Sequence, residues 1–296
     1  MLSPFSHALI RRNHQSDGSR MSRPLSESTV LVTGASAGIG LSICRRLAPS
    51  KCGFVLAARS QDKLQQVATD LRQSGCEVLV IPTDVSQPDS IRDLARDSRQ
   101  LSGRIDVLIN NAGIECFADF DSLTEDAIQQ TIATNLTGSI LLTRHILPGM
   151  RAQKTGHIIN MASTAGKHGP AFGAVYGATK AGLIAFTQSL RGELRGSGIE
   201  ATAICPGFAT DGGIYDDIVR MTGRRTPRHL GGTSAAAVAA AVENVIRKPR
   251  PEVILNFPWL RPVFVLREAF PALGERLILA ATRRFLRQAS RPNRLN

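Results

Sequence analysis

Thr29-Val30-Leu31-Val32-Thr33-Gly34-Ala35-Ser36-Ala37-Gly38-Ile39-Gly40-Leu41-Ser42-Ile43-Cys44 is the stretch that decides how this 296-residue chain reads. Thr29–Thr33 has no charged residue and four β-branched ones, the composition of a buried strand. Three glycines follow, Gly34, Gly38 and Gly40, and then a helical pattern from Leu41. Absent side chains permit a tight turn, close approach of a pyrophosphate, and close helix–strand packing. The helix N-terminus adds unpaired N–H groups and partial positive charge, which suit an anion. A purely structural glycine turn would use the same residues.

Outward from this turn, short apolar runs alternate with helix-length stretches. Phe54–Ala58, Val78–Ile81, Val107–Ile109, His157–Met161, Ala201–Ile204 and Val253–Leu255 join Thr29–Thr33 as candidate strands. Asp62–Gln73, Asp89–Gln100, Glu125–Leu147 and Ala178–Arg195 read as helices between them. Continuous apolar strands suit a parallel sheet covered on both faces. The alternation predicts an α/β fold, Rossmann-like and doubly wound, with seven parallel strands and helices on both faces.

Composition closes off other classes. Apolar residues make up 43% and charged residues 20%, which is ordinary globular usage. No apolar run approaches the ~18 residues of a membrane span. The net charge of +12 is uneven: residues 27–246 carry only +1, residues 1–26 carry +3 and residues 247–296 carry +8. A nearly neutral body argues against nucleic-acid binding. The five cysteines form no C-x-x-C pair, and the six histidines lack ligand spacing, so neither a disulfide framework nor a metal site is expected. Free thiols suit a reducing compartment, and the expected localisation is cytoplasmic.

Residues 1–26 read as a disordered leader; a weak transit peptide, or an upstream start with Met21 as the true one, are the other readings. Residues 27–256 form the catalytic domain of this reading, and 257–296 a basic amphipathic extension. In that tail Pro271–Gln288 reads as a helix with Leu273, Leu277, Ile278, Ala281 and Phe285 in one stripe. The stripe suits packing on the body or on a partner subunit. It equally suits peripheral contact with an anionic membrane, given the flanking Arg276, Arg283 and Arg287.

Chemistry-bearing residues follow the strands. Arg59 stands just after the second, where an acid would bind both ribose hydroxyls of a dinucleotide and repel a 2′-phosphate. An arginine there pairs with that phosphate, which favours NADPH over NADH, although an exposed loop arginine looks the same. Asp84 follows the third strand, placed for an adenine amino group or for an ordinary turn. Asn110-Asn111-Ala112-Gly113 follows the fourth. Ser163 follows the fifth, and thirteen residues later comes Tyr176-Gly177-Ala178-Thr179-Lys180. Tyr176 and Lys180, four apart, share one helix face.

Taken together and in order, the glycine turn, N-N-A-G, Ser163 and Y-x-x-x-K resemble the short-chain dehydrogenase/reductase family, in its branch of about 250 residues, over residues 28–255. The resemblance implies an NAD(P)-dependent oxidoreductase, with NADPH favoured and NADH as the other option. It implies a dinucleotide held by Gly34, Ser36, Gly38, Ile39, Gly40, Arg59, Asp84, Asn111, Ala112, Gly113, Tyr176, Lys180, Pro206, Gly207 and Thr210. Thr210 stands four residues after Pro206, where the family has its threonine five after; Asp211 takes that place. Asn135 matches the family asparagine that positions a water in a proton relay behind Lys180. The resemblance also implies a homo-oligomer through Glu125–Leu147 and Ala178–Arg195.

Carbonyl reduction needs hydride at carbon and a proton at oxygen. Tyr176 can donate the proton, Lys180 is expected to lower its pKa from the usual ~10, and Ser163 can hold the carbonyl oxygen. Residues 208–230, with Gly212-Gly213 and Arg224, Arg225 and Arg228, read as a substrate lid. The substrate expected is a small or lipophilic carbonyl or alcohol. The alternatives are a 3-oxoacyl thioester, or no reaction at all in an NADPH-sensing protein on the same fold.

Overall fold

The computed structural model describes residues 23–115, 117–208, 210–211, 219, 226–227 and 230–290. Seven strands form one sheet: β1 Thr29–Thr33, β2 Gly53–Ala58, β3 Val78–Pro82, β4 Val107–Asn110, β5 Gly156–Met161, β6 Ile199–Pro206 and β7 Glu252–Leu255. Their order is β3-β2-β1-β4-β5-β6-β7 and every neighbouring pair is parallel. The order reverses between β1 and β4. The crevice beyond the carboxyl ends of those two strands is where ligands bind in such sheets.

Helices cover both faces: α1 Gly38–Leu47, α2 Gln61–Gln73, α3 Pro88–Asp97, α4 Glu125–Ile132, α5 Gly138–Gln153, α6 Ala174–Glu193 and α7 Ala235–Arg247. Local chemistry sets their starts. Ser60, Thr124 and Ser234 each accept a bond from a first-turn N–H of α2, α4 and α7, and Pro88 opens α3. Alternation along β1 splits the core. Val30 and Val32 face the layer of α1 and α7, with Ile43, Leu47, Val238 and Val242. Leu31 faces the layer of α3 and α5, with Leu94, Leu142 and Ile146. Each such side chain, fully buried, contributes roughly 1.5–3 kcal/mol.

Two features depart from expectation. Glu125–Leu147 is not one uniform helix: a π-helical turn at Ala133–Thr137 separates α4 from α5, and α5 continues to Gln153. A single inserted residue widens the turn and shifts the helical phase by about 100°, a change too local to separate from an ordinary amphipathic stretch by pattern. The tail is a hairpin of two helices, α8 Arg261–Ala269 and α9 Pro271–Ala289. Gly274 lets them close, because a Cβ there would collide with the Arg267 backbone. The stripe on α9 is divided. Phe285 meets Phe208 edge-on at 5.9 Å, and Leu286 beside it, outside the stripe, is buried. Leu273 and Leu277 stay about half exposed.

No helix among the described residues is long and apolar enough to cross a membrane. Cys44, Cys52, Cys76 and Cys205 are buried free thiols.

Candidate active site

The glycine turn is built as its spacing predicts. Gly34 and Gly38 take positive φ angles of 66° and 53°, which disfavour any side chain. A Cβ on Gly40 would collide with the Gly34 carbonyl, so α1 can approach the turn only through glycine. Ala37 gives α1 no side-chain cap. The first-turn N–H groups of α1, next to Ser36 in the chain, are therefore left without a side-chain cap, which suits an anion.

Asn111 and Ala112 pin this turn to β4. Their backbone N–H groups donate to Thr33 Oγ1 at 2.9 and 3.0 Å, and the Asn111 amide donates to the Thr33 carbonyl at 2.9 Å. Asn111 thus shapes the crevice through the turn that it holds. Arg59 is exposed at the end of β2 and makes no hydrogen bond or ion pair among the described residues. Asp84 uses Oδ1 on the N–H and hydroxyl of Ser86, at 2.9 and 2.7 Å.

At the other side of the crevice, α6 presents Tyr176 and Lys180 toward the end of β5. Lys180 Nζ donates to the Met161 carbonyl at 2.9 Å and lies 5.6 Å from the Tyr176 ring centroid. Ser163 is buried; its Oγ accepts from Ala165 N–H at 3.1 Å and donates to the Pro206 carbonyl at 3.4 Å. Gly166 permits the contact of this loop with α6, since a Cβ there would press on the Lys180 carbonyl carbon.

Asn135 is fully buried in the π-helical turn. Its amide grips one residue from both sides, donating to the Ile114 carbonyl at 2.8 Å and accepting from Ile114 N–H at 2.8 Å. The side chain thus positions the segment after β4, and it also donates to Thr179 Oγ1 at 3.3 Å. That segment borders the lysine: a Cβ on Gly113 would sit 3.6 Å from Lys180 Nζ.

Pro206 ends β6, and Gly207 N–H donates to the Leu255 carbonyl at 2.7 Å. Thr210 is exposed and pairs by backbone with Thr233 at 3.1 Å, while Asp211 accepts from Ala235 N–H at 2.7 Å. Asp211 is therefore a cap for α7 rather than a replacement for Thr210. Gly212-Gly213, Arg224, Arg225 and Arg228 lie outside the described residues.

The electrostatics correct one expectation. Lys180 was expected to bring the Tyr176 pKa down, yet in the protein alone it lies well above the ordinary phenol value. Burial raises it most, the Glu115 charge raises it further, and a hydrogen bond from Ser163 opposes both. Burial pulls the Lys180 ammonium down to about 8 against the opposing charges of Glu115 and Cys205. Glu115 itself is pushed up to about 7 by burial, with Lys180 opposing. Glu115, which sequence reasoning did not single out, is the carboxylate coupled to this pair. The available signal was a lone carboxylate in the otherwise uncharged run 107–118.

These residues fit a dinucleotide. The turn has no room for side chains, the N-terminus of α1 has no side-chain cap, and Arg59, unpaired among the described residues, follows β2. Among the described residues no group of three His, Cys, Asp or Glu side chains can hold a metal ion.

A family model described as short chain dehydrogenase matches residues 28–215, and the chain belongs to the short-chain dehydrogenase/reductase family. It is accordingly an NAD(P)-dependent oxidoreductase acting on CH-OH/C=O groups. The chain is 40% identical to the ketoacyl reductase HetN of Nostoc sp. over 232 residues, 78% of this chain and 79% of that one. Among solved structures it is similar to an actinorhodin polyketide ketoreductase with NADPH: TM-score 0.69, 30% identity, 78% of this chain and 97% of the other. A short chain dehydrogenase/reductase from Burkholderia phymatum, in complex with NAD, superposes with TM-score 0.76 at 26% identity over 85% of this chain and 96% of the other.

Proposed function

We propose that this protein reduces a carbonyl group with NADPH, with Tyr176 as the proton donor. The convergence of Ser163, Tyr176 and Lys180 at one end of the sheet carries the reading. Bound in the crevice, the nicotinamide supplies the hydride. The chain's own residues do the rest. Gly34, Ser36, Gly38, Ile39 and Gly40 hold the pyrophosphate, Arg59 pairs with the 2′-phosphate, and Asp84 offers Oδ2 to the adenine. Asn111, Ala112, Gly113, Pro206, Gly207 and Thr210 line the nicotinamide end. Ser163 orients the carbonyl oxygen and stabilises charge on it. Tyr176 gives that oxygen its proton, since a phenol is protonated at neutral pH. Lys180 holds the nicotinamide ribose and stabilises the phenolate left behind. Asn135 positions the segment through which a proton relay would reach Lys180.

A 3-oxoacyl thioester as substrate is the second reading, supported by the 40% identity to a ketoacyl reductase. Residues 27–256 would then be the catalytic domain, in a homo-oligomer packed through α4 to α6. An intact Ser163, Tyr176 and Lys180 set weighs against a purely cofactor-sensing protein, which needs no proton donor. NADPH absorbance with a panel of ketones, aldehydes, sterols and 3-oxoacyl thioesters tests the reading; no turnover on any of them contradicts it.

The tail adds a proposed location. Phe257, Trp259, Val265, Phe270, Leu273 and Leu277 are 50–80% exposed within a stretch of strongly positive charge. We propose that this surface rests on an anionic membrane, where each basic residue near the surface is worth ~1 kcal/mol. Phe285 against Phe208 joins the tail to the loop after β6, so the membrane would lie beside the substrate entrance and suit a lipophilic substrate.

A further inference from the structure

Phe117, in the segment between β4 and α4, has no part in the chemistry described above. Its ring lies 6.1 Å from that of Tyr176, centroid to centroid, with the two planes inclined by 42°. Both residues are partly exposed, so a bound molecule can reach them. The ring also rests on Gly173 in the loop before α6: a Cβ there would lie 2.7 Å from Phe117 Cε1 and 2.9 Å from Pro170 Cγ. The backbone is tied on both sides. Ala118 N–H donates to the Phe172 carbonyl at 2.9 Å, and the Asn135 amide holds Ile114 at 2.8 Å in both directions. Phe172 takes a φ of 66°, a left-handed conformation rare for a bulky residue. Such strain persists where surrounding contacts enforce it, and here it falls on the residue that joins the two segments. Phe117 is therefore a fixed wall beside the proton donor.

We propose that Phe117 is a specificity-determining residue: its ring, fixed against Tyr176 and Gly173, limits the smaller substituent of a ketone substrate to about the size of a methyl group. The inference rests on the carbonyl reduction assigned above. Donors to a carbonyl oxygen lie near the plane of the C=O and its substituents, along the lone pairs. With Tyr176 on one lone pair and Ser163 on the other, each donor stands on the side of one substituent. The substituent on the Tyr176 side runs beside the phenol ring, where Phe117 stands. A methyl group gains apolar contact there; a longer chain meets a ring that the loop before α6 holds in place. The larger substituent lies on the Ser163 side, away from this wall. One methylene in an apolar pocket is worth a discrimination of about 10–200-fold. The substrate class that fits is therefore methyl ketones and aldehydes with a larger group on the other side.

Acetophenone and butyrophenone share the phenyl group and differ in the second substituent, methyl against propyl, so their kcat/KM ratio with NADPH reads this wall. The wild-type protein should favour acetophenone. Phe117→Ala should raise the butyrophenone-to-acetophenone ratio by about tenfold or more. Phe117→Leu, which keeps an apolar side chain on Gly173, should raise it less, and it carries the test if the alanine variant does not fold. Equal losses on both ketones, at an unchanged ratio, would make Phe117 merely structural and overturn the proposal. The same ketones are also titrated calorimetrically into Tyr176→Phe loaded with NADPH, with and without Phe117→Ala, where the affinity ratio should move the same way. That readout needs no turnover. If the wild-type protein reduces neither ketone, the assigned reaction fails while the affinity ratio still decides the role of Phe117. An affinity ratio unchanged by Phe117→Ala, or no binding of acetophenone to the loaded protein, overturns the proposal.

Discussion

The Lys180 ammonium lies 5.6 Å from the Tyr176 ring centroid while it donates to the Met161 carbonyl at 2.9 Å. One cation therefore ties α6 to the end of β5 and stands behind the phenol at the same time. Lys180→Ala removes both roles. Turnover should fall by about 10²–10⁴, and affinity for NADPH should fall with it. Stopped-flow kinetics and cofactor fluorescence, read on the same preparation, check this; a variant that loses turnover but binds NADPH unchanged would leave Lys180 without its ribose role.

Arg59, exposed at the end of β2 and unpaired among the described residues, is the cofactor selector of this account. Arg59→Asp should move the ratio of kcat/KM for NADPH over NADH by about tenfold or more, equivalent to ~1.4 kcal/mol. The preference in the wild-type protein should weaken as salt rises, because the pair is exposed. An outright wild-type preference for NADH would contradict the assignment.

The elements of the fold are legible where one physical cause dominates. Each strand is a short apolar run because both sheet faces are covered, and Gly34, Gly38 and Gly40 are fixed by positive φ or by contact between backbones. Tyr176 and Lys180 are legible because helical spacing alone puts them on one face. The π-helical turn at Asn135 is not, since a phase shift over one turn is too short to show in an apolar pattern. Glu115 escapes for a different reason. Its coupling is to α6, about sixty residues farther along the chain, and no local pattern reports that. The division of the α9 stripe depends on Phe208, which only the folded chain brings to Phe285.

His157 is a buried group whose protonation should weaken the fold in acid. It is fully buried in β5, with Nε2 2.8 Å from Thr202 Oγ1, and it is held down to about 3 by burial first and by the Arg191 charge second. Between that value and its unfolded value near 6.5, the unfolded chain binds the proton and the native chain does not. This contribution to stability is therefore present above about pH 6.5 and is lost as pH falls, at about 1.4 kcal/mol per unit. Urea unfolding at pH 7, 6 and 5 should show the loss, and His157→Gln should flatten it. Equal slopes for the two proteins would refute this.

Trp259 is the sole tryptophan and is 80% exposed, so its emission reports the tail directly. Anionic vesicles should shift the emission to shorter wavelength, neutral vesicles should not, and added salt should reverse the shift. Unchanged emission with anionic vesicles would mean that protein, rather than lipid, covers this surface.

The most direct test of the central claim is single-turnover oxidation of NADPH by Tyr176→Phe, with cofactor binding measured alongside by fluorescence. The substitution removes one hydroxyl and keeps the ring that meets Phe117 at 6.1 Å. The account predicts NADPH affinity close to that of the wild-type protein, with hydride transfer to a carbonyl substrate slowed by about 10²–10⁴. Hydride transfer at a wild-type rate in Tyr176→Phe would contradict it.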